Sequence, residues 1–134
     1  MRSFPTSTFL RRVLFADAAT CVACGLLLAF GAGRLEQLLG LPAGLSRYAG
    51  LSLLPFAAFL GYLATRENLS QKVVWWVIIL NALWTIDSIL LLMSGWVAPT
   101  GLGAAFIVFQ AVGVAMFAAL EYFGLRKSAA AATA

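Results

Sequence analysis

Four long apolar segments restrict the fold of this chain more than any other feature of its sequence. They cover residues 13–33, 45–65, 73–93 and 101–123. A helix needs about 20 largely apolar residues to cross a bilayer, because the hydrocarbon core is about 30 Å thick and a helix rises about 1.5 Å per residue. Continuous apolar runs of this length are helical in lipid, since barrel strands alternate polar and apolar residues. The sequence therefore predicts an all-α integral membrane protein, a bundle of four transmembrane helices with up-down-up-down topology.

Composition supports lipid as the solvent of this chain. Of its 134 residues, 63% are hydrophobic and only 10% are charged, whereas soluble domains carry roughly 25% charged residues. A soluble domain of this size could not bury so much apolar surface. We expect a single transmembrane domain over residues 1–127, followed by a disordered Ala-rich tail over residues 128–134.

The positive charges are distributed unevenly between the two predicted sides of the membrane. Seven of the nine fall at the N-terminus, in the second loop or at the C-terminus: Arg2, Arg11, Arg12, Arg66, Lys72, Arg126 and Lys127. Only Arg34 and Arg47 fall on the opposite side. The positive-inside rule then places both termini in the cytoplasm. The charges flank apolar runs and form no single basic face, so nucleic acid is not an expected partner.

Asp17 in the first apolar segment and Asp87 in the third are the carboxylates that we expect to lie within the membrane. A carboxylate at mid-bilayer costs at least about 2.5 kcal/mol on insertion scales and usually faces the interior of the bundle. For Asp17 two interpretations are open. The side chain pairs with Arg12, Lys72 or Arg126 near the helix N-terminus, or it is a site for a proton or a cation.

Asp87 falls at the predicted depth of Arg47, and we expect an ion pair between the second and third helices. Asn81 begins a polar stripe on the third helix, and Gln110 lies in the middle of the fourth. Interhelical hydrogen bonds explain such residues without any ligand. A polar pathway through the membrane is the alternative interpretation.

Cys21 and Cys24 have the spacing that brings two thiols to one helix face, where they could bind a soft metal. No second cysteine pair is present, and buried cysteine is often a small packing residue. The chain also has no histidine, which excludes histidine-ligated haem and His-based zinc sites. We expect neither a cofactor nor a metal, with the two thiols as a weak candidate.

The pattern of motifs along nearly the whole chain resembles small bacterial four-helix inner-membrane proteins to which no activity is assigned. The matching motifs are Arg11-Arg12 with Asp17, Leu54-Pro55-Phe56, Asn81-Ala82-Leu83-Trp84 with Asp87, and Gln110-Ala111. The resemblance implies a multi-pass location in the bacterial inner membrane.

Two families of known function are similar in layout only. Mercury-uptake proteins of the MerC type have a Cys-x-x-Cys in their first span, as this chain has at Cys21 and Cys24, but their further C-terminal cysteines are absent here. Small multidrug-resistance transporters have an acidic residue in their first span, which Asp17 matches, although the strong charge bias argues against their dual topology.

The sequence contains no nucleotide-binding loop and no nucleophile paired with a base, so we do not expect an enzyme. The leading hypothesis is a non-catalytic helix bundle in the lipid bilayer, either an accessory subunit of a larger membrane complex or a self-associating homo-oligomer. A small proton- or cation-coupled transporter using Asp17 is the alternative. Thiol or soft-metal handling through Cys21 and Cys24 is a further alternative.

Overall fold

A computed structural model describes residues 3–133, with side chains through Ser128, and Arg2 and Ala134 lie outside the described residues. It contains five helices and two short strands. In chain order they are β1 Ser3–Pro5, α1 Thr8–Phe30, α2 Ala32–Leu39, α3 Ala43–Thr65, β2 Asn68–Ser70, α4 Gln71–Ser94 and α5 Gly101–Thr133. Helices α1, α3, α4 and α5 are each long and apolar enough to cross a membrane. The predicted all-α class with four such helices is confirmed.

The helices differ from the predicted segments mainly at their ends. Helix α1 begins at Thr8, because the Ser7 side chain caps it by accepting a hydrogen bond from the Leu10 backbone N at 3.1 Å. The predicted loop over residues 34–44 contains most of α2. Helix α5 continues to Thr133, so most of the stretch that we expected to be disordered is helical, and Ala134 is outside the described residues.

Glycine lets the first and second long helices approach closely. Helix α1 packs most extensively on α3, and α4 packs on α5, while α1 and α5 join the two pairs. A Cβ atom on Gly50 would lie only 2.5 Å from the backbone N of Ala29 and 2.6 Å from the carbonyl oxygen of Gly25. Small residues serve this purpose in membrane helix packing, where backbones meet directly.

A two-stranded sheet closes the end of the molecule where the chain begins. Strands β1 and β2 are antiparallel, and the register sets Phe4 opposite Leu69. Both side chains are buried in the main hydrophobic core with Leu14, Leu63 and Val74. We call this half of the molecule the packed end.

The opposite end is organised by α2 and the segment that connects α4 to α5. Gly40 ends α2 in the left-handed conformation, with φ of +71°. The backbone N of Thr100 donates to the carbonyl oxygen of Leu39 at 2.9 Å, and the Thr100 hydroxyl donates to that of Leu38 at 2.8 Å. These bonds hold α2 against the start of α5. We call this half the cavity end, because the long helices enclose a cavity there.

Candidate functional site: a polar cluster beneath an apolar cavity

One amide group connects three helices in the interior of the protein. The Nδ2 atom of Asn81 on α4 donates to Oδ2 of Asp17 on α1 at 2.9 Å and to Oε1 of Glu121 on α5 at 2.7 Å. All three residues are buried, with exposed fractions of 3% for Asn81, 2% for Asp17 and 0% for Glu121. We call these three side chains the acidic cluster.

The geometry of the helices brings the three side chains to one level. Asp17 is nine residues from the start of α1 and Asn81 is ten from the start of α4, which places both about 14–15 Å along their helices. Glu121 belongs to the later part of α5, which returns to the packed end, where Gly124 contacts Leu10. A helix of 23 residues is about 35 Å long. The acidic cluster is therefore a little under halfway along the helices.

The two carboxyl groups are close together and face few compensating charges. Because both accept from the same nitrogen, their bonded oxygens are at most 5.6 Å apart, the sum of the 2.9 and 2.7 Å bonds. Two negative charges at about 5 Å repel by about 3 kcal/mol at an effective interior dielectric of about 20. Among the described residues, no salt bridge reaches either group, and Oε2 of Glu121 has no hydrogen-bond partner. One bound proton would remove this repulsion.

A cavity of about 360 Å³ extends from the acidic cluster toward the cavity end. Asp17 lines it from α1, Ser46 from α3, Asp87 from α4 and Gln110 from α5. Most of the remaining lining is apolar. Helices α3 and α4 make little direct contact with each other, and Asp87 is exposed, so the cavity is open to the surroundings of the protein.

A second set of polar contacts fixes the wall of the cavity between α4 and α5. The indole N–H of Trp84 donates to Oε1 of Gln110 at 2.7 Å, and Nε2 of Gln110 donates to the Ser88 hydroxyl at 2.9 Å. Thr85 donates to the carbonyl oxygens of Asn81 and Ala111 at 3.1 and 3.4 Å. The predicted polar stripe of α4 thus faces α5, and Gln110 of α5 contacts two of its residues, Trp84 and Ser88.

The expected ion pair between Arg47 and Asp87 does not form. Both side chains are exposed, and no salt bridge joins them within the described residues. The physical reason is that α3 and α4 make little direct contact with each other. Asp87 lines the cavity, whereas Arg47 is not among its lining residues.

The expected cationic partner of Asp17 is also absent from the described part of the chain. Arg12, Lys72 and Arg126 are exposed, and Arg126 lies over the ring of Tyr122 instead, 5.7 Å from its centroid. Asp17 accepts from Asn81 because α1 begins at Thr8, which places the carboxylate about two and a half turns into the helix rather than near its end.

Cys21 and Cys24 both line the cavity, and neither forms a disulfide. The thiol of Cys21 contacts Oδ1 of Asp17, with an S–O distance of 3.5 Å. Within residues 3–128, no group of three or more His, Cys, Asp or Glu side chains could hold a metal ion. The soft-metal hypothesis therefore depends on the two thiols alone.

Sequence reasoning missed Glu121, the third member of the acidic cluster. It is the one carboxylate in the fourth apolar segment, but it falls two residues from the predicted end at 123, where a charged side chain is ordinary. A usable signal was present, because Asp17 falls only four residues from the start of the first predicted segment at 13. The two carboxylates are thus at similar depth on helices that begin and end on the same side.

Comparisons with known proteins identify no relative of this chain. No family model matches the chain, and no curated protein and no solved structure is significantly similar to it.

Proposed function

We propose that the protein is integral to the bacterial inner membrane, with α1, α3, α4 and α5 crossing the bilayer up-down-up-down and both termini in the cytoplasm. The length and apolar character of these helices support insertion. The large exposed side chains on their outer faces, such as Ile86 and Leu90 of α4, are apolar, as a lipid-facing surface requires.

The positions of the positive charges support the orientation. The guanidinium of Arg11 donates to the carbonyl oxygen of Arg66 at 3.3 Å, and Gly124 contacts Leu10. The N-terminus, the loop between α3 and α4 and the later part of α5 therefore all lie at the packed end. Together they carry most of the Lys and Arg residues. That end faces the cytoplasm in the proposed orientation.

Within the membrane, we propose that the protein is a small proton-coupled carrier that uses Asp17. One observation carries this proposal: two buried carboxyl groups share a single amide donor, and one of the two, Asp17, lines an open cavity. A proton bound between Asp17 and Glu121 relieves their repulsion, and a ligand in the cavity reaches Asp17 directly. Binding of the ligand and binding of the proton are then linked through one carboxylate.

The arrangement differs from a site that only packs helices together. Packing alone favours a cluster in which every polar atom has a partner, since an unpaired buried polar atom costs about 1–3 kcal/mol. Here Oε2 of Glu121 has no partner among the described residues, and Asp17 borders open space. Intramembrane carboxylates in such positions mark ion and proton pathways.

Proteoliposomes that trap a pH-sensitive dye test the carrier directly. Four probes are added outside at equal pH: potassium chloride, a quaternary ammonium salt, an aromatic alcohol and an aromatic carboxylate. We expect at least one probe to change the internal pH with the wild type, and Asp17→Asn to abolish the change. Glu67→Gln is the matched control, because Glu67 is an exposed carboxylate in the loop, and it should behave as the wild type.

Two results would count against the carrier. One is that none of the four probes changes the internal pH relative to empty liposomes. The other is that Asp17→Asn, with wild-type elution from a size-exclusion column, transports as well as the wild type.

The second candidate function is the non-catalytic bundle, acting as an accessory subunit or through self-association. The lack of extensive contact between α3 and α4 favours it, since a helix of another chain could pack between them. The mass and composition of the tagged protein, purified from its native membrane in mild detergent, discriminate between the two. A stoichiometric foreign partner supports the accessory role, whereas a monomer leaves the carrier as the better account. For a homodimer, the transport assay with Asp17→Asn decides between self-association and the carrier.

A further inference from the structure

We infer that the cavity binds an amphipathic organic cation with a single positive charge. The inference deepens the proposed carrier function and depends on it, because the cation would take the place of the proton held by the acidic cluster.

The charge of the lining selects the sign of the ligand. Two carboxylates, Asp17 and Asp87, line the cavity, and no Lys or Arg is among its lining residues. An anion would meet only like charge there, and repulsion between like charges excludes wrong partners from a site. A cation is complementary.

The chemistry of the walls selects an organic cation over a metal ion. Magnesium or calcium would need about six or more oxygen ligands to replace its water. The side-chain oxygens of the lining are spread over four helices, and most of the lining is apolar, with the aromatic rings of Trp84, Phe106, Phe109 and Phe117. Aromatic faces attract weakly hydrated ammonium groups, and the Trp84 ring is held in place by its hydrogen bond to Gln110 at 2.7 Å.

The size of the cavity agrees with a small organic molecule. Ligand pockets in proteins are typically about 300–1,000 Å³ in volume, mostly apolar, with a few placed polar groups. This cavity has about 360 Å³. An apolar body would fill the region lined by Leu28, Leu91 and Phe106, while the cationic group lies toward Asp17.

The exchange balances in charge. A cation bound beside Asp17 compensates one negative charge, so the acidic cluster no longer needs its proton. The O–H bond of the protonated carboxyl breaks, the electron pair stays on the carboxylate oxygen, and the proton passes to water. The titratable groups around Asp17 are Cys21 and Cys24 on α1, Asp87 on α4 and Glu121 on α5. One cation bound should therefore release one proton.

The test compares a cation with a neutral molecule of the same shape. Phenyltrimethylammonium and tert-butylbenzene are titrated into the full chain in mild detergent, with empty micelles as the blank. Binding is followed by calorimetry and proton release by a pH-indicator dye in weak buffer. We expect the cation to bind at least tenfold more tightly than the neutral molecule, and to release about one proton per molecule bound.

Variants then locate the site. Asp17→Asn should weaken binding of the cation at least tenfold and abolish proton release, and Asp87→Asn should weaken binding without abolishing release. Glu67→Gln removes an exposed carboxylate outside the cavity and should leave both unchanged. Equal affinity for the two probes, or unchanged affinity in a folded Asp17→Asn, would overturn the inference. If that variant does not fold, the comparison of the two probes on the wild type decides.

The transport panel separates failure of this inference from failure of the carrier. Proton movement driven by the aromatic alcohol or the carboxylate, but not by the ammonium salt, would overturn the ligand class and leave the carrier in place. No proton movement with any probe would overturn both.

Discussion

Replacing Gly50 by alanine should force the two most extensively packed helices apart. The new Cβ would lie 2.5 Å from the backbone N of Ala29, whereas ordinary Cβ contacts begin at about 3.4 Å. The difference between these values means that α1 and α3 must separate by about 0.9 Å, because the neighbouring atoms belong to the backbone and cannot rotate away. Overpacking costs about 1–3 kcal/mol, and the upper part of this range applies to a backbone contact.

The intrinsic helix preference acts in the opposite direction. Alanine is better than glycine in a helix by about 1 kcal/mol, so Gly50→Ala should lower the free energy of unfolding by about 2 kcal/mol in total. Gly61→Ala is the matched control on the same helix, since nothing lies within 4 Å of a Cβ at that position. It should be neutral or stabilising by up to about 1 kcal/mol.

Unfolding in mixed micelles with increasing SDS, followed by circular dichroism, measures both variants. A Gly50→Ala protein as stable as Gly61→Ala would refute the close approach of α1 to α3 at this position. The same outcome would mean that close packing of α1 on α3 does not place Asp17 beneath the cavity.

Substitutions at three further positions probe the acidic cluster, the cavity wall and the packed end. Asn81→Leu removes both shared hydrogen bonds and should lower the free energy of unfolding in SDS by about 1–3 kcal/mol. Asn81→Asp should lower it further at neutral pH. The stability of this variant should recover as the pH falls, because its native state must bind an extra proton and is therefore destabilised as the pH rises. Gln110→Leu leaves the indole N–H of Trp84 without its acceptor and should lower the free energy of unfolding by about 1 kcal/mol. An unchanged free energy of unfolding would mean that this hydrogen bond is absent. Phe4→Ala should cost about 3 kcal/mol or more by the same measurement, whereas Phe9→Ala, which is 42% exposed, should cost less than half as much.

The sequence predicts the long helices well because their signal is local. Twenty consecutive apolar residues leave the backbone few alternatives in lipid. Helices α3, α4 and α5 each contain a predicted segment, and α1 covers the first segment except for its last three residues. The shorter elements carry no such signal. Helix α2 has only eight residues, and β1 pairs with a strand more than sixty residues away, so both depend on tertiary contacts.

The candidate site was predictable in its residue types but not in its pairing. Asp17, Asn81 and Gln110 stand out because polar side chains are costly in an apolar segment. Which of them meet is decided by helix rotation and crossing, and these follow from contacts such as that between Gly25 and Gly50. The expected pair of Arg47 with Asp87 was wrong for this reason, since equal depth does not bring together residues on two helices that make little direct contact.

The infrared spectrum of the purified protein at neutral pH tests the central claim most directly, because a protonated carboxyl has a C=O stretching band that a carboxylate lacks. The account predicts such a band in the wild type, its loss in the double variant Asp17→Asn with Glu121→Gln, and its persistence in Asp87→Asn. A wild-type spectrum without the band, identical in this region to that of the double variant, would mean that the acidic cluster holds no proton and would contradict the account.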